Sequence, residues 1–254
     1  MAEGLRLALT TLTVLPLRGP TTLDRKTAGA AMALAPLVGL LLGLVAAGVL
    51  AGAARVSGDL LAAALAVAVL ALLTRGLHLD GLADTADGLA SYRSPDGALA
   101  VMRSPETGPL GIAVLVLSLL VQVGALQACL ADGRGATSLV LAVVTARLAV
   151  TLACTPATPA ASPTGLGSAV AGTVRPAVPL LIALAVALAA AGVGLREGTA
   201  QAVQAVVAVT LGLLASAALR RHAVRRLGGV TGDVLGALVE VTTVVVLVVL
   251  SARL

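Results

Sequence analysis

Phenylalanine and tryptophan are absent from this 254-residue chain and tyrosine occurs once. That excludes an aromatic stacking platform for nucleic acid and the usual interfacial aromatic belt of a membrane protein. Charge is also scarce, at 11% of residues, where ordinary soluble domains carry about 25%. A soluble fold of this length needs a polar shell that these residues do not supply. Only two cysteines are present, Cys129 and Cys154. Both sit in apolar segments without metal-ligand spacing, so a disulfide framework and a thiolate zinc site are excluded, and buried structural thiols remain. Lysine occurs once against sixteen arginines, a usage that with abundant Ala, Val, Leu and Gly reflects GC-rich coding rather than chemistry.

What is there is apolar: 59% of the chain. Seven runs come near the ~20 residues that a bilayer requires. They are Ala28–Ala53, Asp59–Leu77, Pro109–Ala131, Ala136–Thr155, Pro176–Leu195, Thr199–Leu219 and Val230–Ser251. The expected fold is an all-α, polytopic integral membrane helix bundle of about seven transmembrane helices, forming one catalytic domain over residues 1–254. Leu5–Leu17 is too short to span and stops at Pro16, which fits a short N-terminal interfacial or re-entrant helix. Arg18, Arg25 and Lys26 follow it, against the logic of a signal peptide. The stretch TPATPAASPTGLGS is expected to form a flexible loop or substrate lid, with a plain linker as the equal alternative. Gly39, Gly43 and Gly48 would let helices pack closely.

Basic residues orient the bundle. With the N-terminus inside, Arg55, Arg134, Arg196 and Arg253 fall outside, Arg147 lies within a span, and the other twelve of the seventeen basic residues fall inside. This bias predicts a multi-pass protein of the cell membrane (the inner membrane, where there are two) with its polar loops facing the cytoplasm. The net charge of +5 is explained by that topology, and no nucleic-acid partner is expected. The arginines of RRHAVRR, Arg220 to Arg226, read first as an anchor on anionic lipid and second as phosphate binders.

The segment RGLHLDGLADTADGL, from Arg75 to Leu89, carries three of the twelve carboxylates. Asp80, Asp84 and Asp87 are spaced four and three apart, which on a helix puts them on one face. Like charges that close call for a cation, and oxygen-only ligands suit Mg²⁺ or Mn²⁺ better than zinc. Carboxylates, a divalent cation and a membrane surface point to phosphoryl transfer from an activated nucleotide, with arginines such as Arg75, Arg93 and Arg103 gripping phosphate oxygens. His78 is either a general base or a partner that orients an aspartate. Asp233 and Glu240 lie seven apart on the last run, hence on one face. Asp233 reads as a helix cap, a further metal ligand or a substrate contact. A carboxylate inside the bilayer should face the bundle interior, and Glu240 is expected to pair with Arg147.

Asp84–Gly88, DTADG, resembles the D-x-x-D-G core of the CDP-alcohol phosphotransferases, but no second aspartate pair follows downstream. The longer run Gly76–Gly88, GLHLDGLADTADG, closely resembles the signature of the cobalamin synthase family, the adenosylcobinamide-GDP ribazoletransferases. Met102-Arg103 with Gly108 and Gly111 resembles the family's M-R-D-S-R-x-G-x-x-G, Ala146-Arg147 its intramembrane Ser-Arg, and Gly165-Leu166-Gly167 a loop element. Leu227–Ala237 with Glu240 resembles its C-terminal motif, so the likeness runs from about Pro16 to Glu240. Ser104-Pro105-Glu106 departs from the family's Asp-Ser-Arg, and no role carries over to those three positions.

The resemblance implies a Mg²⁺-dependent transferase that joins adenosylcobinamide-GDP to α-ribazole or its 5′-phosphate and releases GMP. Asp80, Asp84 and Asp87 would hold the metal, one of them or His78 serving as base. Arg75, Arg93, Arg103, Arg147, Thr231, Gly232, Asp233 and Glu240 would bind substrate. Other cobalamin-assembly enzymes are the further partners it points to. The competing readings are a CDP-alcohol-type phospholipid synthase and, from the carboxylates alone, a membrane cation transporter. Transport sites usually sit at mid-membrane in broken helices, whereas these acids follow a span, which favours catalysis.

Overall fold

The computed structural model describes residues 2–253, and helices dominate it. The elements are α1 (Ala2–Leu12), α2 (Arg25–Ala33), α3 (Ala35–Ala54), α4 (Asp59–Leu73), α5 (Leu77–Ala90), α6 (Pro95–Met102), α7 (Pro109–Ala131), α8 (Gly135–Ala153), α9 (Leu166–Val170), α10 (Ala177–Gly194), α11 (Thr199–Leu227) and α12 (Gly232–Ser251). Among the described residues the one extended pairing is an isolated parallel bridge between Ala160 and Val230. Six helices, α3, α7, α8, α10, α11 and α12, are long and apolar enough to cross a membrane, and α4 with α5 makes a seventh if that bent pair is one span.

Three boundaries differ from the hydropathy reading, each for a local reason. The first apolar run divides into α2 and α3 at Leu34, because Pro36 has no N–H to continue the ladder and disfavours helix before it. The second run ends at Leu73, and the chain turns through 88° into α5. Arg75 (φ 55°) and Gly76 (φ 69°) adopt the left-handed conformation that makes this corner. α4 rises only about 22 Å over its fifteen residues, short of a ~30 Å hydrocarbon core. α11, by contrast, runs on through the arginine segment to Leu227 and stops at Gly228, which is left-handed at φ 83°. Cations in a last helical turn are favoured by the helix dipole, so Arg225 and Arg226 support the extension.

α8 and α12 are the most enclosed helices. α3 packs on α8 where Gly39 and Gly43 lie against Val143 and Val140, whereas Gly48 faces open space. At the N-terminus, α1 buries Gly4, Ala8 and Leu12. It is tied to the bend by Val14 N–H donating to the Leu73 carbonyl at 2.6 Å and by Arg75 Nη2 donating to the Thr10 carbonyl at 3.3 Å.

The bundle thus has two polar ends. At one, Asp132, Arg134, Glu197, Gln201, Gln204 and Arg253 surround a single pocket. At the other, the segment 155–175 lies against the start of α12. Ala161 N–H donates to the Val230 carbonyl (3.1 Å) and Val230 N–H to that of Pro159 (2.9 Å). Arg25 reaches the Ser168 and Ala171 carbonyls, and Arg220 reaches the Leu152 carbonyl and Thr158 Oγ1. Expected as a flexible lid or linker, this segment is a pinned wall.

Candidate active site

α5 lies across the pinned end of the bundle, pressed on α12 at two glycines. A Cβ on Gly81 would stand 2.6 Å from the Asp233 carbonyl oxygen, and one on Gly236 would stand 3.2 Å from the His78 backbone. Side chains at these crossings would force the helices apart, and Gly81 brings the aspartate face of α5 directly over the first turn of α12.

The three aspartates of α5 meet different fates. Asp87 is committed: its Oδ2 accepts from Gly108 N–H (2.6 Å) and its Oδ1 from Gly111 N–H (2.8 Å). A carboxylate there satisfies two unpaired amides of the α7 N-terminus and sits at the positive end of its dipole. Asp80 is exposed and Asp84 half-buried, and neither accepts a hydrogen bond among the described residues. Asp84 is pushed up to about 6, first by burial and then by the negative charges of Asp80, Asp233 and Asp87. Asp233 enters from α12, its Oδ2 accepting from Thr231 Oγ1 at 3.2 Å, while the same hydroxyl caps the helix by accepting from Val234 N–H. Asp80 and Arg103 are both within electrostatic reach of Asp233.

Among the described residues, no three His, Cys, Asp or Glu side chains are disposed to hold one metal ion between them. A closed cage of the zinc type is therefore absent from them. Mg²⁺ needs less, because it keeps several waters and is commonly bound by one or two carboxylates plus substrate phosphates. The unpartnered Asp80 and Asp84, set beside Asp233, fit that requirement in number and chemistry.

Cations border the acids. Arg103, at the end of α6, donates from Nη2 to Ser162 Oγ at 3.2 Å, so the pinned wall holds its guanidinium beside Asp233. Arg226 Nη2 donates to the Arg93 carbonyl at 3.5 Å, joining the end of α11 to the turn after α5. Arg93 itself is exposed. Half-buried Thr231 and Gly232 form the α12 start between the wall and Asp233. Carboxylate oxygens, the Arg103 guanidinium held by Ser162 and the exposed Arg93 thus meet at one polar end of the bundle.

A family model for cobalamin-5-phosphate synthase matches residues 4–251. The chain is 48% identical to the adenosylcobinamide-GDP ribazoletransferase of Frankia casuarinae, over 97% of this chain and 93% of that protein. It is 42% identical to that of Nocardioides sp. over the whole of both chains. With that of Pseudomonas aeruginosa it shares 40% identity over 99% of this chain and all of that protein. The chain belongs to the cobalamin-5-phosphate synthase family. No solved structure matches it.

Within this member of the family, several residues singled out in the sequence lie away from the acidic face. His78 is buried beneath α5 and makes no hydrogen bond to Asp80 or Asp84 among the described residues. It precedes Asp80 by two positions, about 200° of helical rotation, so the two point to opposite faces. Arg75 is occupied with the Thr10 carbonyl. Arg147 and Glu240 are buried in the bundle, and they form no ion pair with each other: Glu240 Oε2 instead accepts from Gln122 Nε2 at 2.7 Å. Ser104, Pro105 and Glu106 form an exposed turn closed by Glu106 N–H donating to Ser104 Oγ. Ser162 carries no motif signal and is found by the structure alone, whereas Arg226 belongs to the arginine run read first as a lipid anchor and second as phosphate binders.

Proposed function

We propose that this transferase joins adenosylcobinamide-GDP to α-ribazole, or to α-ribazole 5′-phosphate, in the last assembly of the nucleotide loop of cobalamin. A ribose hydroxyl oxygen forms a new bond to the phosphorus on the cobinamide side. The bridging P–O bond breaks, GMP departs with that bonding pair, and the hydroxyl proton passes to solvent water. Asp80 and Asp84 would hold Mg²⁺, with Asp233 facing them from α12. When bound, Mg²⁺ neutralises the bridging phosphates and favours departure of the nucleotide. Arg103, fixed by Ser162, grips a phosphate oxygen, and Arg93 extends the positive rim along which the nucleotide lies. Asp87 holds the α7 N-terminus against α5.

The observation that carries this reading is the pair of unpartnered carboxylates, Asp80 and Asp84, meeting Asp233 and Arg103 at one end of a bundle whose sequence resembles ribazoletransferases over its whole length. The test is product formation by the purified protein in liposomes, given adenosylcobinamide-GDP, α-ribazole and Mg²⁺. A cobalamin product with GMP release, lost in Asp84→Asn, is expected. Absence of product from a correctly folded sample would remove the assignment.

The site faces the cytoplasm in this reading, because twelve basic residues fall at its end against four at the other. Cys129 and Cys154 are buried, so a cysteine placed at the exposed Tyr92 is the reactive thiol. An impermeant thiol reagent should label it in inverted vesicles and not in intact cells; the opposite pattern would reverse the orientation.

A further inference from the structure

Beneath the aspartate helix lies a group of charges that the proposed chemistry leaves unused. Arg147 of α8 is 4% exposed, Glu240 of α12 9%, His78 of α5 5% and Gln122 of α7 3%. Together with Thr74 and Thr243 they line a cavity of about 20 Å³. Gln122 binds one oxygen of Glu240, but Arg147 Nε has no hydrogen-bond partner among the described residues. The ion pairs of the described residues all lie elsewhere. α3 packs over the Arg147 stem: a Cβ on Gly39 would stand 3.2 Å from both Arg147 Cβ and Cγ.

An unpaired guanidinium in a membrane bundle persists only where something compensates its charge and its donors. Glu240, across the same cavity, compensates the charge. The donors need an oxygen between the two groups, and the cavity of about 20 Å³ that these polar groups share with apolar side chains exceeds the ~10–15 Å³ that one water requires. His78 borders that cavity with both ring nitrogens free of direct protein hydrogen bonds among the described residues. It sits one residue into α5, just after the left-handed corner at Arg75 and Gly76. At its far end α5 is secured by Asp87 on α7. At its near end the corner before it is tied to α1 through Arg75 and Val14, and the buried His78 faces this cavity.

We propose that Arg147, Glu240 and Gln122, bridged by one buried water, form a seat for His78 that fixes the pitch of α5 and with it Asp80 and Asp84. These are positioning residues, not substrate ligands. Glu240 lies seven residues along α12 from Asp233, about 10 Å below the acidic face, and packed helix lies between. The inference rests on the reading of Asp80 and Asp84 given above, but its structural half does not depend on any substrate.

The test is a doubly neutral, nearly isosteric variant, Arg147→Met with Glu240→Gln, in nanodiscs. Hydrogen–deuterium exchange is followed peptide by peptide, and turnover is measured alongside. Faster exchange in residues 74–90, with α8 and α12 unchanged, is expected. So is a kcat lower by roughly ten- to a hundred-fold, the usual range for losing an outer support, at unchanged KM for both substrates. Unchanged exchange over 74–90 in the folded variant would overturn the proposal. So would equal acceleration of every helix, which marks a group that only stabilises the bundle. If the double variant does not fold, Arg147→Lys, which keeps the charge and loses Nε, should show the same local acceleration to a smaller degree. Wild-type exchange in Arg147→Lys would overturn the idea as well. A wild-type protein that makes no cobalamin product would count against the proposed reaction alone, because the exchange pattern stands without it.

Discussion

Replacing Asp87 by Asn tests whether the three aspartates of α5 divide into the proposed metal-binding pair and one that holds structure. Asp87 receives two short backbone hydrogen bonds, 2.6 Å from Gly108 and 2.8 Å from Gly111. A hydrogen bond to a charged group contributes about 1.5–3 kcal/mol, and an anion at a helix N-terminus about 0.3–1 kcal/mol more. Asn keeps one carbonyl acceptor, so one of the two bonds and the charge term are lost, about 2–4 kcal/mol in all. For a chain of this length, 1 kcal/mol corresponds to a Tm change of roughly 2–4 °C. Asp87→Asn should therefore melt roughly 4–16 °C lower.

The second half of that prediction is the diagnostic one. Assayed well below its melting point, Asp87→Asn should retain Mg²⁺-dependent turnover with an unchanged Mg²⁺ concentration for half-maximal rate, whereas Asp84→Asn should lose Mg²⁺-dependent turnover at a Tm no lower than that of the wild type. Differential scanning fluorimetry in detergent and a Mg²⁺ titration of initial rates supply both numbers. An Asp87→Asn protein of unchanged Tm and abolished Mg²⁺ response would refute the division of labour and return Asp87 to the metal.

Three further outcomes follow from the same geometry. Asp84, pushed up to about 6 from 3.8, favours the folded state at low pH and loses that contribution as pH rises through 6; Mg²⁺ should therefore raise Tm more at pH 7.5 than at pH 5, and Asp84→Asn should abolish the difference. At the other end of the bundle, Gln204 Nε2 donates to the Val249 and Ala252 carbonyls at 2.8 and 2.7 Å and its Oε1 accepts from Arg134 at 2.9 Å; Gln204→Ala should cost about 1–3 kcal/mol of stability by denaturant melt while leaving kcat unaltered, and a loss of kcat would mean that the two ends communicate. Gly81→Ala puts a methyl against the Asp233 carbonyl, an overpacking of about 1–3 kcal/mol, and should lower turnover more than heating tolerance because it lifts α5 off α12; wild-type kcat would show that this crossing does not set the site.

Apolar length was enough to place the spans, because a bilayer demands ~20 residues with few charges and this chain has few charges to spend elsewhere. What length does not encode is direction. The 88° corner after Leu73 depends on Arg75 taking a left-handed conformation that non-glycine residues seldom adopt, and only Gly76 beside it gives any local sign. Pro36 and Gly228 did carry local signs of the α2–α3 break and the α11 stop. Hydropathy averaging passed over the first, and the arginines of Arg220–Arg226 masked the second by reading as a loop.

The site was legible to the extent that its chemistry is local. Spacings of four and three put Asp80, Asp84 and Asp87 on one face of a real helix, but the same periodicity says nothing about what that face meets. Asp87 meets amides 21 and 24 residues further on, a tertiary contact that helical spacing does not encode. Arg147 and Glu240 are the converse case. Their membrane location announced that each had to be compensated, and a direct pair was the simplest solution. The helices instead hold them on two sides of a cavity, with Gln122 on one carboxylate oxygen and His78 at the rim. A direct salt bridge would draw α8 and α12 together and fill that space. Keeping them apart leaves a polar socket under α5, beside the corner at Arg75 and Gly76, where it can help set the pitch of the helix. The acids at the surface and the charges in the core are then parts of one device, joined through His78.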